Sequence, residues 1–465
     1  MTSRAPYPTR ASNSHETAGC WMRSGRGSAA YPLILHVQQR RESAGEEAAM
    51  QRETSQAAEL MSGFAERTGL RGGAETRRYL WTDAFAVINA LDLWLTTRDE
   101  RWRDMATDLV AEVHGVLGRH RSDDSRQGWL GGLDEQEGAR HPTSGGLRIG
   151  KPLPEREPDA PYDARLEWDR DGQYWHYLTK WMDALSRAAR VLDEPECLRY
   201  AEELAEGTFP RFLQTSPMGA PMGLAWKMSV DLSRPQVAAT SPHDALDGYV
   251  TTRWLGRTGA ATRLAGEANI LRQLAEGRAW GTADPLGLGG LLMDAMRLAL
   301  LPDRTEVAER LILDILAGVD AGLDHFLRSG TLEAVPSRRL GFREIGLAIG
   351  LQALRPLSQA AETSRHLRRA AGPHLDALRK NAGVGRGIVA FWSEPENRRA
   401  ATWTEHRDIN DVMLATVLLD AYADTARATS GEGHRRGLSC PGAAHESPAV
   451  HRETRQAGPC HRGCG

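Results

Sequence analysis

The chain has 465 residues and a formal net charge of −3, with 41% hydrophobic and 26% charged residues. This near-neutral balance offers no polyanion-binding surface, so neither nucleic acid nor an anionic membrane face is an expected partner. No run approaches the roughly 18 uninterrupted apolar residues of a membrane span, and a soluble, cytoplasmic protein is expected.

Residues 1–43 are rich in Arg, Ser, Pro and Gly, show little periodicity and lack the apolar core of a signal peptide. They read as a disordered extension, with Met50 as an alternative start. Residues 44–428 read as one domain, nearly all helix. Hydrophobic periodicity places helices at 46–67, 77–98, 99–119, 172–192, 194–214, 243–256, 259–278, 286–301, 304–328, 341–357, 361–381 and 408–427. Between the third and fourth of these, 120–171 is a long insertion rich in Gly, Pro and charge, of the kind that serves as a lid or pocket wall. Residues 220–232 alternate well enough for a short strand. Residues 429–465 read as a disordered tail. Its Cys460-His461-Arg462-Gly463-Cys464 run matches no zinc template, and neither a metal nor a cofactor is expected.

The helices are of two alternating kinds. The second, fourth, sixth, eighth, tenth and twelfth open on polar or aromatic clusters and then run apolar on all sides. Those openings are Trp81-Thr82-Asp83, Trp168 through Tyr174, His243 through Asp247, Asp284-Pro285-Leu286, Phe342-Arg343-Glu344 and Glu405 through Asp411. The others are amphipathic. Helices apolar all round are buried and one-sided helices face water, so the alternation describes an inner ring within an outer ring. A solenoid would pair helices too, but at a fixed short period. Successive openings here lie about 40 to 90 residues apart.

Two residue classes add information. Arginine outnumbers lysine 54 to 4. Coding bias accounts for that, yet it draws attention to Lys151, Lys180, Lys227 and Lys380, because a compact ammonium and a guanidinium are not interchangeable. The cysteines, Cys20, Cys197, Cys440, Cys460 and Cys464, are odd in number and scattered, which fits a reducing compartment. Gly145 through Lys151 matches G-x-x-x-x-G-K, but Pro152 stands where a P-loop needs Ser or Thr, and no strand precedes it. Nucleotide binding is rejected, which leaves Arg148 and Lys151 to hold an acidic sugar.

Twelve alternating helices with Asp- and Trp-rich inner openings resemble the six-hairpin, or (α/α)6 toroid, glycosidase-like superfamily, over about residues 46–427. The resemblance implies a pocket at one end of the barrel and a small-molecule or oligosaccharide substrate. Members are commonly glycoside hydrolases, with epimerases, lyases and cyclases on related toroids. No motif selects one member family.

Glycoside hydrolysis needs two carboxyl groups, one protonated and one ionised. Asp171 and Glu405 are the expected pair, with Asp169 and Asp244 as further candidates. The first alternative is a sugar epimerase or isomerase with His243 and His406 as bases, since imidazole titrates near neutral pH. The second is a non-catalytic carbohydrate-binding or scaffold toroid. Trp81, Trp168, Tyr174, Trp175 and Trp403 are candidate stacking faces. Asp83, Arg170, Gln173, Glu344 and Asp411 are candidate hydroxyl-binding groups. His176 and Lys180 lie one helical turn apart and are expected to face the pocket together. Arg343 with Glu344 reads as an ion pair bracing the inner ring.

Overall fold

A computed structural model of the chain describes residues 31–257 and 263–422, with side chains from residue 45 onward. The chain divides into residues 1–53 and residues 54–465. The described part of the first unit belongs to helix α1 (Tyr31–Arg67), which begins well before the expected residue 46. The disordered segments expected at the two ends lie outside the described residues, apart from this helical stretch from Tyr31. All that follows concerns the second unit.

After α1 come α2 (Leu80–Thr97), α3 (Glu100–Leu117), α4 (Glu135–Arg140), α5 (Ala164–Asp169) and strand β1 (Gln173–Tyr174). Next are α6 (Trp175–Leu192), α7 (Pro195–Phe212), β2 (Leu213–Thr215), β3 (Pro221–Leu224), β4 (Lys227–Met228), β5 (Pro235–Val237) and α8 (Pro242–Leu255). The remainder is helical: α9 (Ala265–Ala275), α10 (Pro285–Ala299), α11 (Glu306–Arg328), α12 (Gly341–Gln352), α13 (Leu354–Ala361), α14 (Arg365–Lys380), α15 (Ala382–Ser393), α16 (Ala401–Thr404) and α17 (Arg407–Leu418).

Six of these helices form a closed inner ring. In order, α2 packs on α6, α6 on α8, α8 on α10, α10 on α12, α12 on α17, and α17 back on α2. The outer layer is added by α3, α7, α9 and α11, each against its own inner helix, and by α14 against α11. This is an all-α (α/α)6 toroid. The seam between its ends is held by Asn89, fully buried, whose side-chain amide donates to the Val412 carbonyl at 2.9 Å.

Contacts between successive inner helices pair residues of equal rank along each helix. Near the starts, Tyr79 meets Tyr177 and His176 meets Asp244; farther along, Lys180 meets Asp247 and Gln352 meets the Val417 carbonyl. The inner helices therefore run the same way, and their N-termini share one rim. The inner helices carry large apolar groups such as Trp175, Trp181, Leu246, Leu292 and Met296, all wholly buried, with Trp175 packed on Phe209 and Phe212 of α7 and Trp181 on His114 of α3. Each such side chain contributes on the order of 2 kcal/mol or more when removed from water.

Small residues set one inter-helix distance. A Cβ built on Gly289 of α10 falls 2.0 Å from the Gly346 carbonyl of α12, and one on Gly350 falls 2.5 Å from Gly289 Cα. The two backbones touch there with no room for a methyl group.

The elements depart from expectation in a few places. Residues 341–357 are not one helix: α12 ends at Gln352, and Pro356, which lacks an N–H, sits in the first turn of α13 where that lack is tolerated. Helix α15 escaped the periodicity because Gly383, Gly385 and Gly387 lower its helix propensity. Its buried residues Ile388 and Trp392 nonetheless pack it on α12 and α17. The expected strand at 220–232 is two strands in two sheets: β2 pairs with β3, and β1, β4 and β5 form a second, antiparallel sheet. Among the described residues no helix is long and apolar enough to cross a membrane.

The glycine contact gives a direct test. Gly289→Ala will destabilise the fold by about 1–3 kcal/mol through overpacking. Gly290→Ala, one residue on, is exposed with nothing within 4 Å of the new methyl. It will be neutral or stabilising by up to about 1 kcal/mol, because alanine is the better helix former. Urea denaturation of the two variants reads both outcomes.

Candidate active site at the ring mouth

The six inner N-termini can be traced as a continuous rim. Starting at α2, the Tyr79 hydroxyl lies 2.6 Å from that of Tyr177 on α6. His176, beside Tyr177, turns its Nδ1 toward a carboxylate oxygen of Asp244 on α8 at 3.6 Å. His243 precedes Asp244 and feels the charge of Asp284 at the start of α10. Asp284 in turn pairs with Arg343 of α12 at 2.6 Å. Phe342, next to Arg343, meets His406 edge-on at 5.8 Å at the start of α17. Asp408 of α17 closes the circuit by acting on Asp83 of α2. Charge also reaches across the ring, since the Arg343 guanidinium acts on the Tyr177 hydroxyl.

Aromatic rings form one wall. Tyr174 stacks on His176 at 5.2 Å and 20°, and Trp226 lies near parallel to His176 at 6.5 Å. Trp168, 54% exposed, stacks on Trp226 at 5.7 Å. Trp81 tilts against Tyr177 from below. Of the expected stacking residues, Trp168 offers an open face, whereas Trp81 and Tyr174 are nearly covered. Trp175 and Trp403 are core residues whose indole N–H groups donate to the Asp244 carbonyl and to Asp411.

The carboxylates are mostly engaged. Asp171 is wholly buried; one oxygen takes Arg148 at 2.5 Å and the other accepts the N–H groups of Gly150 and Gly172 at 3.0 Å. It clasps the insertion to β1 and has no free face for a substrate. It does not cap α6 either, which starts at Trp175 without a side-chain cap. Gly172 does admit a close backbone approach, by the Met228 carbonyl of β4, 2.6 Å from where its Cβ would stand. Glu405 stands exposed in the turn before α17, so Asp171 and Glu405 do not form a facing pair. Asp169 is exposed on the insertion, and Arg170 contributes its backbone carbonyl to the Lys227 ammonium. Gln173 is buried and bonds the Leu147 N–H and the Gly145 and Val230 carbonyls, a framework position.

The remaining acids carry basic partners. Glu344 pairs with Arg339 and accepts the Trp392 indole N–H, while Arg343 pairs with Asp284, so the expected Arg343–Glu344 pair does not form. Asp411 takes Arg67 at 2.8 Å. Lys180 does not share the rim with His176: it pairs with Asp247 at 2.7 Å, one turn deeper, because α6 and α8 run side by side. Below it Arg297 bonds Asp183. Burial, with Asp247 nearby, drives the Asp294 carboxyl well above the usual range, so it is protonated and shares its hydrogen with Asp247.

Imidazoles are the rim groups left open for chemistry. His243 is half-buried, and burial lowers its pKa against the pull of Asp244, Asp284 and Asp247, so it is neutral at pH 7. His406 is exposed. His176 is partly exposed, and its Nδ1 and the facing Asp244 oxygen have no hydrogen bond. A carboxylate beside Nδ1 favours the tautomer that leaves Nε2 as acceptor. Tyr79, Tyr177 and Trp226 escaped the sequence reading, and Phe342 entered it only as part of an inner-helix opening. The signal available for them was proximity, since each adjoins an inner-helix opening or the strand before one. Beside Arg343, a cleft of about 300 Å³ extends from the rim toward His325 near the end of α11 and Arg338 in the segment before α12.

No protein-family model matches the chain, and no curated protein matches it. The solved structure of cellobiose 2-epimerase from Spirochaeta thermophila DSM 6192 is similar with a TM-score of 0.47 and 13% identity, over 80% of this chain and 98% of that one. The closed ring described above stands on the chain's own contacts.

Asp83 supplies a test of rim electrostatics. Burial raises its pKa to about 7, against the pull of Arg78 and the Tyr79 N–H. Between the ordinary carboxylate value near 3.9 and that raised value the folded state holds a proton the unfolded state lacks, so its contribution falls as pH rises. Asp83→Asn keeps an acceptor for the Tyr79 N–H and removes this titration. The stability of the variant relative to wild type, from urea melts, will therefore rise from about pH 5 to about pH 8.

Proposed function

We propose that the ring mouth is the active site of a carbohydrate-active enzyme that moves a proton at a carbon next to a sugar carbonyl, as an epimerase or isomerase. One observation carries this reading. The buried carboxylates Asp171, Glu344 and Asp411 are tied to arginine and Asp247 to lysine, Asp244 faces His176 at 3.6 Å without a hydrogen bond, and His243 and His406 stand at the starts of two inner helices with imidazoles open to exchange a proton.

In this reading one imidazole removes the proton from C2 of an open-chain sugar and the electron pair delocalises into the C1 carbonyl as an enediolate. The other imidazole returns a proton to the opposite face. Lowering of its pKa by burial leaves His243 neutral and ready to act as base near pH 7. The open face of Trp168 supports a sugar ring by stacking, and the Tyr79 and Tyr177 hydroxyls offer donors and acceptors to its oxygens. Hydrolysis is the weaker reading, because a pair of carboxyl groups would have to face each other across the mouth, and Asp171 is enclosed while Glu405 is turned outward.

The test is solvent exchange. Incubated in D2O with a panel of aldoses, sugar acids, sugar phosphates, disaccharides and aryl glycosides, the protein will introduce deuterium at C2 of a reducing sugar and yield two epimers or an aldose–ketose pair, read by NMR. His243→Asn and His406→Asn will each lower that rate by about 100-fold or more with the circular dichroism unchanged. Absence of exchange across the panel, or wild-type exchange in both variants, would overturn the reading. Release of reducing ends without exchange would instead support a hydrolase.

A further inference from the structure

Of the four lysines in the chain, Lys227 is buried and bonds Glu167 and two backbone carbonyls, and Lys180 is paired with Asp247. Lys380 ends the outer helix α14. Lys151 is different. It sits half-buried at the rim with its ammonium 5.5 Å from the ring centroids of both Tyr79 and Trp168. Among the described residues no side-chain hydrogen bond or ion pair reaches its nitrogen. The two π faces attract the cation but supply no lone pair, so its N–H donors remain available to a ligand acceptor.

The position is held from behind. Arg121 donates to the Lys151 carbonyl at 2.7 Å and to the Pro152 carbonyl at 3.0 Å. Leu153 and Asp171 then bond across the insertion, to the Asp169 carbonyl and from the Asp171 N–H to the Leu153 carbonyl. The backbone carrying Lys151 is thus fixed, while its head group is left open beside the exposed Trp168. Asp169 is the nearby acid that acts on it, yet makes no ion pair; Asp171 is consumed by Arg148, and Lys227 adds a second positive charge. A partly desolvated cation whose nearby acid makes no direct ion pair with it gains from a closer anion. A ligand anion would fill that role.

We propose that Lys151 binds a negatively charged substituent of the substrate, so that the mouth takes a sugar acid or a sugar phosphate in preference to the neutral sugar. The inference rests on the sugar site proposed above and adds its charge class. The sugar ring lies on Trp168, and its carboxylate or phosphate accepts from the Lys151 ammonium. Arg148, the other cation that the sequence offered for this task, is unavailable because it is locked onto Asp171.

Calorimetric titration of the full chain with D-glucose, D-glucuronate and D-glucose 6-phosphate tests the proposal without reference to turnover. At least one anionic sugar will bind about ten-fold or more tightly than glucose, the size of a charge-assisted hydrogen bond, and the two anions distinguish carboxylate from phosphate. Lys151→Met retains the packing against both rings, loses no internal bond and will abolish the preference; Lys151→Arg will restore part of it. Equal affinity for all three sugars, a preference that survives in Lys151→Met, or binding of none of the three would overturn the proposal. Because deuterium exchange is measured separately, loss of the proton-transfer reading leaves this result standing, and the reverse holds as well.

Discussion

Six inner helices running the same way impose one constraint on everything else. Each helix leaves its first N–H groups without intrahelical partners and carries the positive end of its dipole there. Gathered on one rim, those ends attract acidic side chains, and Asp83, Asp244, Asp284, Glu344 and Asp411 all fall within their first turns or close to them. The carboxylates then need counter-charges of their own, which explains the arginines that meet them. Arg67, Arg78, Arg339 and Arg343 come from α1, from the segment before α2, from the loop before α12 and from α12 itself. The rim is therefore a charge-compensated collar, with a few groups that the compensation leaves over.

Those groups are imidazoles, hydroxyls and one ammonium. Between α6 and α8 the polar contacts form a ladder, with His176–Asp244 at the mouth and Lys180–Asp247 one turn in. Below it, Asp294 keeps its proton and Arg297 reaches Asp183. The ladder makes the α6–α8 side of the mouth rigid and polar. The α2 side is walled by Tyr79, Tyr177 and Trp81 and is correspondingly apolar. A ligand seated there meets two chemically distinct faces, which is what orients a ring with hydroxyls on its edge and hydrogens on its face.

The ring is legible in the sequence because burial leaves a periodic trace. A run such as Ile345 to Leu351 is apolar on every side, as a helix enclosed by neighbours must be, whereas Arg365 to Lys380 has one apolar stripe. The site is less legible, since the residues in helix openings look alike whether they bind a ligand or an arginine. Asp171 sits at an opening, but its partner Arg148 lies 23 positions away in the insertion, and no local pattern announces a clasp of that span. Glu344 reads as the neighbour of Arg343, yet its charge is met by Arg339, five positions before it. Lys151 stood out in sequence as a rare residue type and, with Arg148, as a candidate for an acidic sugar; that Lys151 rather than Arg148 is open to a ligand depends on where Arg121, Trp168 and Asp171 place the two.

The seam between α2 and α17 bears on how such a chain is made. Asn89 and Val412 are 323 positions apart, and that contact must wait until the chain has been synthesised past Val412. Until then α2, apolar on nearly every side, lacks one of its two ring neighbours. Nascent chains folding from the N-terminus expose such surfaces to one another, and non-local closure is slow. Yield of the folded protein will accordingly depend on chaperone supply and on the pace of translation more than on the stability of any single hairpin.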